Sequence, residues 1–343
     1  MKSTQESNFS EIIAERRQKN IGPMLFVEPL DRLGITLTNK LAIIGGFSAC
    51  FKTTYGLNIV YNNAYKLGYN CCFLSLEMEA NEILLRLLVI HANHPKFDKY
   101  NFIITINKVY KDELTEYEED FLYKIVEPDF KKSIGKIIVL DSEDFSVLLE
   151  GYGIEYLKQK IDEKFVEISN RPLSLFVIDY VQLLARLVRK QYSNRGISDQ
   201  FQVVSQLVRH LRYLTQKYSN TGLSVVILSQ LNRASYSAVK ERLRNPRIIE
   251  SDRYKDIYDL TAISESSEIV NAADIVVTLY ADEKTKKKHE AYIQLLKNRF
   301  GETIEEGIEV LVLPEFSYIG DFRSDDDYID QDYIWNLIEG KLV

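Results

Sequence analysis

The feature that narrows this chain most is a rhythm. Short apolar runs, LAIIGG, CCFLSLE, KIIVLD, LFVIDY, SVVILSQ, DIVVTLY and AYIQLLK, recur along it with segments of helical period between them. The runs show little polar alternation. Continuous apolarity over so few residues means burial on both faces, the condition of a parallel sheet covered by helices. Helices are expected at about 53–68, 79–94, 115–132, 152–169 and 199–219, the last capped by Asp199 and followed by Gly222. Strand, helix, strand in repetition specifies an α/β fold: a doubly wound, mostly parallel sheet with helices on both faces. It is read as a single domain of residues 25–315, preceded by an N-terminal segment (1–24) with an amphipathic helix near 5–19. An acidic, aromatic tail (316–343) follows.

Composition excludes several classes. No apolar run reaches the roughly 18 residues of a membrane span. The start, MKSTQESNFSEIIAERRQKN, lacks the apolar centre of a secretory signal. Cys50, Cys71 and Cys72 form no ligand spacing with the four histidines, and adjacent Cys71 and Cys72 are poorly placed to bridge each other. A reduced, cytoplasmic protein without cysteine- or histidine-held metal and without a membrane partner is expected. The net charge of -7 is uneven: residues 314–343 hold eight acids against Arg323 and Lys341. The remainder is therefore close to neutral, and locally basic loops can still meet nucleic acid.

Ligands of such sheets bind beyond the carboxyl ends of the strands, so the residues just after each run carry the chemistry. LAIIGG leads into GGFSACFKTT, where Gly46 and Lys52-Thr53 have the spacing of a phosphate loop, but Phe51 stands where a second glycine belongs. Converging N–H groups of Gly46, Ser48, Ala49, Cys50, Phe51, Lys52, Thr53 and Thr54 would cradle phosphate at a helix start. Lys52 would reach the outer phosphates and Thr53 would hold Mg²⁺. The same letters also suit a surface Lys-Thr pair opening a helix, and a left-handed phenylalanine costs about 1–2 kcal/mol. SLEME places Glu77 at the next strand end, where a carboxylate can activate water or simply open a helix. LFVIDY ends in Asp179, the shape of a Mg²⁺-supporting acid that equally serves as a turn cap. SVVILSQLNR presents Gln230 as a γ-phosphate sensor.

In order along residues 28–305, PLDRLGITLTNKLAIIGG, SLEMEANEILLRLL, FVIDYVQLL, LSQLNR, SESSEIVNAADIVVTLY and LLKNRFGET resemble the ATPase domain of DnaB-type replicative DNA helicases. That resemblance implies a RecA-like fold, ATP with Mg²⁺, and a ring in the family's hexameric form. It implies that Lys52 and Thr53 hold phosphates and metal, Glu77 is the catalytic carboxylate and Asp179 the Walker B acid. Gln230 would couple the γ-phosphate to DNA-facing loops, and Lys297 and Arg299 would reach the neighbouring subunit's nucleotide. Without the resemblance, Lys297 and Arg299 read as a solvated strand end.

The resemblance further implies pore loops on single-stranded DNA within ARLVRKQYSNRGISDQ and ASYSAVKERLRNPRIIESDRYKD. Arg186, Arg189, Lys190 and Arg195 occupy the first, and Lys240, Arg242, Arg244 and Arg247 the second. Such cations track phosphates without reading sequence, although solvated charged loops look the same. Ser264 stands where the family carries an arginine, and Ser267 where it carries a glycine. DEKTKKKHE reads as a turn with solvated lysines. Fewer than thirty residues precede the match, which suggests a phage or mobile-element motor with 5′-to-3′ polarity and a primase, loader or polymerase as partner. The competing readings are a RecA/RadA-like recombination ATPase and a weakly hydrolysing, nucleotide-binding scaffold ring.

Overall fold

The computed structural model describes residues 22–134, 136–149, 153–193, 199–245, 254–263 and 267–321. Its strands are β1 (Leu41–Gly46), β2 (Cys71–Ser75), β3 (Ile137–Leu140), β4 (Leu175–Asp179), β5 (Ser224–Gln230), β6 (Ile275–Tyr280), β7 (Glu290–Asn298), β8 (Ile304–Leu313) and β9 (Tyr318–Gly320). They form one sheet in the order β3-β2-β4-β5-β1-β6-β7-β8-β9. Strands β1 to β6 pair in parallel, and β7, β8 and β9 extend the sheet antiparallel from β6.

The apolar runs dictate this arrangement. Every residue of β1, β2, β4 and β6 is buried, while β3, at the sheet edge, is only half-buried. Successive side chains point to opposite faces, and the core divides accordingly. Leu41, Ile43, Cys72, Leu74, Phe176, Ile178, Val225 and Ile227 pack on one face with the Gly153–Ser169, Val181–Ser193 and Gln200–Lys217 helices. Ala42, Ile44, Phe73, Val177, Val226 and Leu228 pack on the other with the Lys52–Tyr65 and Ala80–Ala92 helices. Each fully buried aliphatic side chain contributes about 1.5–3 kcal/mol. Gly56 sets how closely the Lys52–Tyr65 helix approaches: a Cβ there would meet Leu228 at 3.1 Å and Phe73 at 3.2 Å. Between β2 and β3, residues 93–134 add a lobe around Phe97, Ile104, Phe121 and Val126.

All the predicted strands and long helices are present, and Asp199 caps its helix by accepting from the Phe201 N–H at 3.0 Å. Three segments depart from the sequence reading. The first expected pore loop opens as the Val181–Ser193 helix, because Val181, Leu184, Ala185 and Val188 fall at helical spacing and are buried. The second contains the Arg233–Leu243 helix, capped by Asn232, whose side chain accepts from the Ser235 N–H at 2.7 Å. DEKTKKKHE is not a plain turn either. An Asp282–Thr285 capping box starts a short Glu283–Lys287 helix. Strands β8 and β9 went unpredicted, and β9 lies in the stretch grouped with the tail. Among the described residues, no helix is long and apolar enough to cross a membrane.

Candidate active site

The expected phosphate loop, metal acid, second carboxylate and sensor meet at the carboxyl ends of β1, β2, β4 and β5. A cleft of about 550 Å³ lies there, lined by residues Ser48 to Thr54 together with Glu77, Arg86, Asp179, Tyr180, Gln230, Lys286 and Pro314. Its size suits a nucleotide-scale ligand. The strand register explains the convergence. Gly46 is paired with Gln230, and Ser75 with Asp179, so the segments leaving these strands start side by side.

The loop turns on left-handed backbone at Ala49 (φ 58°) and Phe51 (φ 65°). Phe51 is thus in the conformation that glycine adopts without strain, and it immediately precedes the Lys52–Tyr65 helix. No side chain caps that helix and its first turn holds no acid, so its leading N–H groups and positive dipole end remain available to an anion. At Gly46 a Cβ would lie 2.9 Å from Lys52 Cγ, so glycine there lets the lysine fold over the loop. The Lys52 ammonium donates to the Phe47 carbonyl at 2.8 Å. Burial holds its pKa below the ordinary lysine value, opposed by the nearby Cys50, Asp179 and Glu77.

Thr53 Oγ1 donates to Asp179 Oδ2 at 2.6 Å. Asp179 is buried at the end of β4, and burial pushes its carboxyl up to about 6 against the stabilising pull of Thr53 and Lys52. These oxygens are hard donors of the kind Mg²⁺ takes. Among the described residues there is no cluster of three or more His, Cys, Asp or Glu suited to a metal. A cation here would therefore depend on the Thr53–Asp179 pair together with ligand or solvent oxygens. Glu77 is exposed, on a turn that Ser75 fixes by donating from Oγ to the Met78 carbonyl at 2.7 Å. Behind β5, the Leu231 N–H donates to the Gly46 carbonyl at 3.2 Å, and Phe47 stacks on Tyr236 with ring centroids 3.9 Å apart. The phosphate loop is thereby joined to the segment that follows Gln230.

Lys297 and Arg299 lie elsewhere. The end of β7 pairs with the start of β6, Asn298 opposite Ile275, and the whole length of β6 separates it from the cleft. At about 3.3 Å per residue that is roughly 20 Å. Lys297 Nζ donates to the Val270 carbonyl at 2.6 Å and Arg299 to the Asn271 carbonyl at 2.9 Å. Arg299 also pairs with fully buried Asp274 at 3.1 Å. Neither can serve its own chain's cleft.

Of the expected DNA contacts, Arg186 and Arg189 are exposed on the Val181–Ser193 helix, and Arg244 is exposed at the end of the Arg233–Leu243 helix. Lys240 is half-buried on that same helix. Arg242 is half-buried and donates to the Lys255 carbonyl at 2.8 Å, so it braces its own segment. Arg195 and Arg247 lie outside the described residues, as does the Lys190 side chain. Ser264 lies outside them too, as do residues 1–21 and the tail beyond Asp321. The sequence reading missed Arg86, Tyr180, Lys286 and Pro314. Arg86 could have been found, since it falls on the inner face of the helix that Glu77 precedes. Lys286 and Pro314 carry no local signal.

A phosphate loop, a strand-end acid and a second strand-end carboxylate over a mostly parallel sheet define the architecture of a P-loop ATPase core. The chain belongs to the DnaB-like helicase C terminal domain family, whose model matches residues 27–317. It is 27% identical over 296 residues to a probable replicative DNA helicase of Trieres chinensis, covering 84% of this chain and 54% of that one. It is 28% identical over 267 residues to the replicative DNA helicase DnaC of Bacillus subtilis, covering 77% and 48%. The chain thus spans about half the length of these curated relatives. Among solved structures, the ATPase domain of a phage helicase superposes with a TM-score of 0.66 at 18% identity, over 92% of this chain and 99% of that one. A DnaB-like replicative helicase described with its interactions with primase superposes at 0.65 and 18%, over 92% and 67%.

Proposed function

We propose that this chain is the ATP-hydrolysing motor of a replicative DNA helicase, working as a ring, in the family's hexameric form, that moves 5′ to 3′ along single-stranded DNA. One observation carries the reading. Lys52, Thr53, Glu77, Asp179 and Gln230 gather at one cleft, while Lys297 and Arg299 sit at the far end of the same sheet. That division makes sense when each nucleotide lies between two subunits.

In this reading the Lys52 ammonium exchanges the Phe47 carbonyl for a phosphate oxygen, and the N–H groups at the start of the Lys52–Tyr65 helix take the others. Mg²⁺ held by Thr53 and Asp179 would neutralise charge on the phosphates. Glu77 orients the attacking water and accepts its proton. Arg299 and Lys297 of the adjoining subunit meet the charge that develops at the γ-phosphate. Gln230, on the strand that continues to Tyr236, passes occupancy to the segments carrying Arg186, Arg189 and Arg244. These cations hold phosphates of the strand without reading bases. A primase, loader or polymerase would be met as a partner of the assembled ring.

The test is DNA-stimulated ATP hydrolysis and strand displacement by wild type and Glu77→Gln. Wild type should show both, and Glu77→Gln should bind ATP and lose turnover by at least about 100-fold. Equal, negligible turnover in both would refute the motor. Left-handed Phe51 favours a second reading, a ring that binds nucleotide and scaffolds others. That outcome would be its signature.

A further inference from the structure

Phe51 raises a problem that the cleft itself answers. A phenylalanine in the left-handed position before Lys52 has its ring at the mouth of the phosphate cradle, where most side chains would obstruct a triphosphate. Here the ring leans on the corner between β6 and β7. Lys286, half-buried on the Glu283–Lys287 helix, places its Nζ over the Phe51 ring, 5.4 Å from the centroid. The adjacent Cys50 Sγ points to the Ala281 carbonyl of the same corner at 3.6 Å. The Asp282–Thr285 capping box fixes that helix: Asp282 Oδ1 accepts the N–H groups of Lys284 and Thr285 at 2.8 and 3.0 Å. The ring also packs beside the core of its face of the sheet, and the cleft stays open with both residues on its wall.

We infer that Lys286 is a positioning residue for nucleotide binding: its ammonium clamps the Phe51 ring against the β6–β7 corner and clear of the phosphates. The inference rests on the nucleotide reading of this cleft and deepens it. A cation over an aromatic face is attracted by the ring quadrupole, more strongly where water is partly excluded. The aromatic ring and the lysine thus form one unit that substitutes for the missing glycine. This predicts a particular pattern of coupling. Lys286 matters only while residue 51 is aromatic.

The experiment is equilibrium titration with a fluorescent, non-hydrolysable ATP analogue and Mg²⁺, which needs no turnover. The proteins are wild type, Lys286→Met, Lys286→Arg, Phe51→Gly and the Phe51→Gly/Lys286→Met double variant. Lys286→Met should weaken binding about five- to tenfold, within the range of a partly desolvated cation–π contact. Lys286→Arg should restore it, because guanidinium also sits over aromatic rings. In the Phe51→Gly background, Lys286→Met should change affinity less than about twofold, giving strong coupling in the cycle. Equal losses in both backgrounds would show Lys286 acting directly on the ligand and overturn the clamp, as would no loss in either. Binding by Phe51→Gly but not wild type would also overturn it, since the ring would then be unrestrained. Absence of binding by every protein would instead overturn the nucleotide reading, and the clamp with it. Thermal unfolding verifies that each variant is folded, with Phe51→Ala replacing Phe51→Gly if required.

Discussion

Thr53 Oγ1 and Asp179 Oδ2 lie 2.6 Å apart, although 126 residues separate them in the chain. The pair joins the helix that follows β1 to the tip of β4, and the phosphate loop is built around it. Thr53→Ala removes the hydroxyl from beside a buried carboxylate and takes away one of the two oxygens proposed to hold Mg²⁺. ATP turnover should fall at least about 100-fold, with the circular dichroism spectrum unchanged. Turnover within threefold of wild type would remove Thr53 from the site.

The distance between Arg299 and its own cleft predicts complementation between two inactive proteins. Arg299→Ala retains a complete cleft, whereas Glu77→Gln retains the cation. Mixed rings should therefore contain boundaries in which wild-type Glu77 faces wild-type Arg299. Each variant alone should be nearly inactive, and an equimolar mixture should recover a measurable fraction of ATPase activity. A mixture no more active than the average of its parts would deny a shared site.

Asp274 organises the opposite end of the sheet. Fully buried, it accepts the Leu41 N–H at 3.0 Å and pairs with Arg212 at 2.9 Å as well as with Arg299. Replacing one member of such a network leaves cations without their counter-charge, at about 3–5 kcal/mol. Asp274→Ala should cost about 3 kcal/mol, the lower end of that range, because Arg299 can turn into water. Chemical denaturation measures it, and a loss below about 0.5 kcal/mol, the size of an ordinary surface effect, would contradict the role.

His91 makes stability depend on pH. Its ring is buried, with Nδ1 2.8 Å from the Tyr61 hydroxyl and Nε2 2.8 Å from Asp129. Tyr65, His94 and Lys96 also face this cluster. Burial, then the Lys96 charge, lowers the imidazole to about 4, while Asp129 pulls the other way. The unfolded chain therefore binds an extra proton between about pH 6.5 and 4, so stability is complete above that window and declines as pH falls through it. The loss should total about 3 kcal/mol. Asp31, pushed up to about 7 by burial, works in the opposite sense, with stability falling as pH rises from about 4 to 7. The relevant quantity is thus the difference between wild type and His91→Gln, which should shrink on acidification; a difference constant from pH 7.5 to 4.5 would refute the assignment.

The sequence displayed the sheet because strands buried on both faces must be apolar throughout, and LAIIGG or LFVID has no other reading of comparable economy. It displayed Glu77, Asp179 and Gln230 because a polar residue ending such a run stands out. Strand β8, IEEGIEVLVL, was missed because its acids are carried on an exposed half and break the apolar signal. The helical start of the first expected pore loop was hidden by its charges. There, the buried spacing of Val181, Leu184, Ala185 and Val188 outweighs Arg186 and Arg189. Lys286 could not be found at all. Its importance comes from the β6–β7 corner folding back onto the loop at Phe51, a long-range contact with no counterpart in local pattern.

The account depends on a triphosphate being held by residues 46–54 with the Phe51 ring to one side. A structure of the protein bound to a non-hydrolysable ATP analogue and Mg²⁺ measures this directly. The phosphates should lie on the N–H groups that open the Lys52–Tyr65 helix, with Lys52 drawn from the Phe47 carbonyl onto them and Phe51 beneath Lys286. A ring occupying the phosphate position, with the nucleotide absent or bound elsewhere, would contradict it.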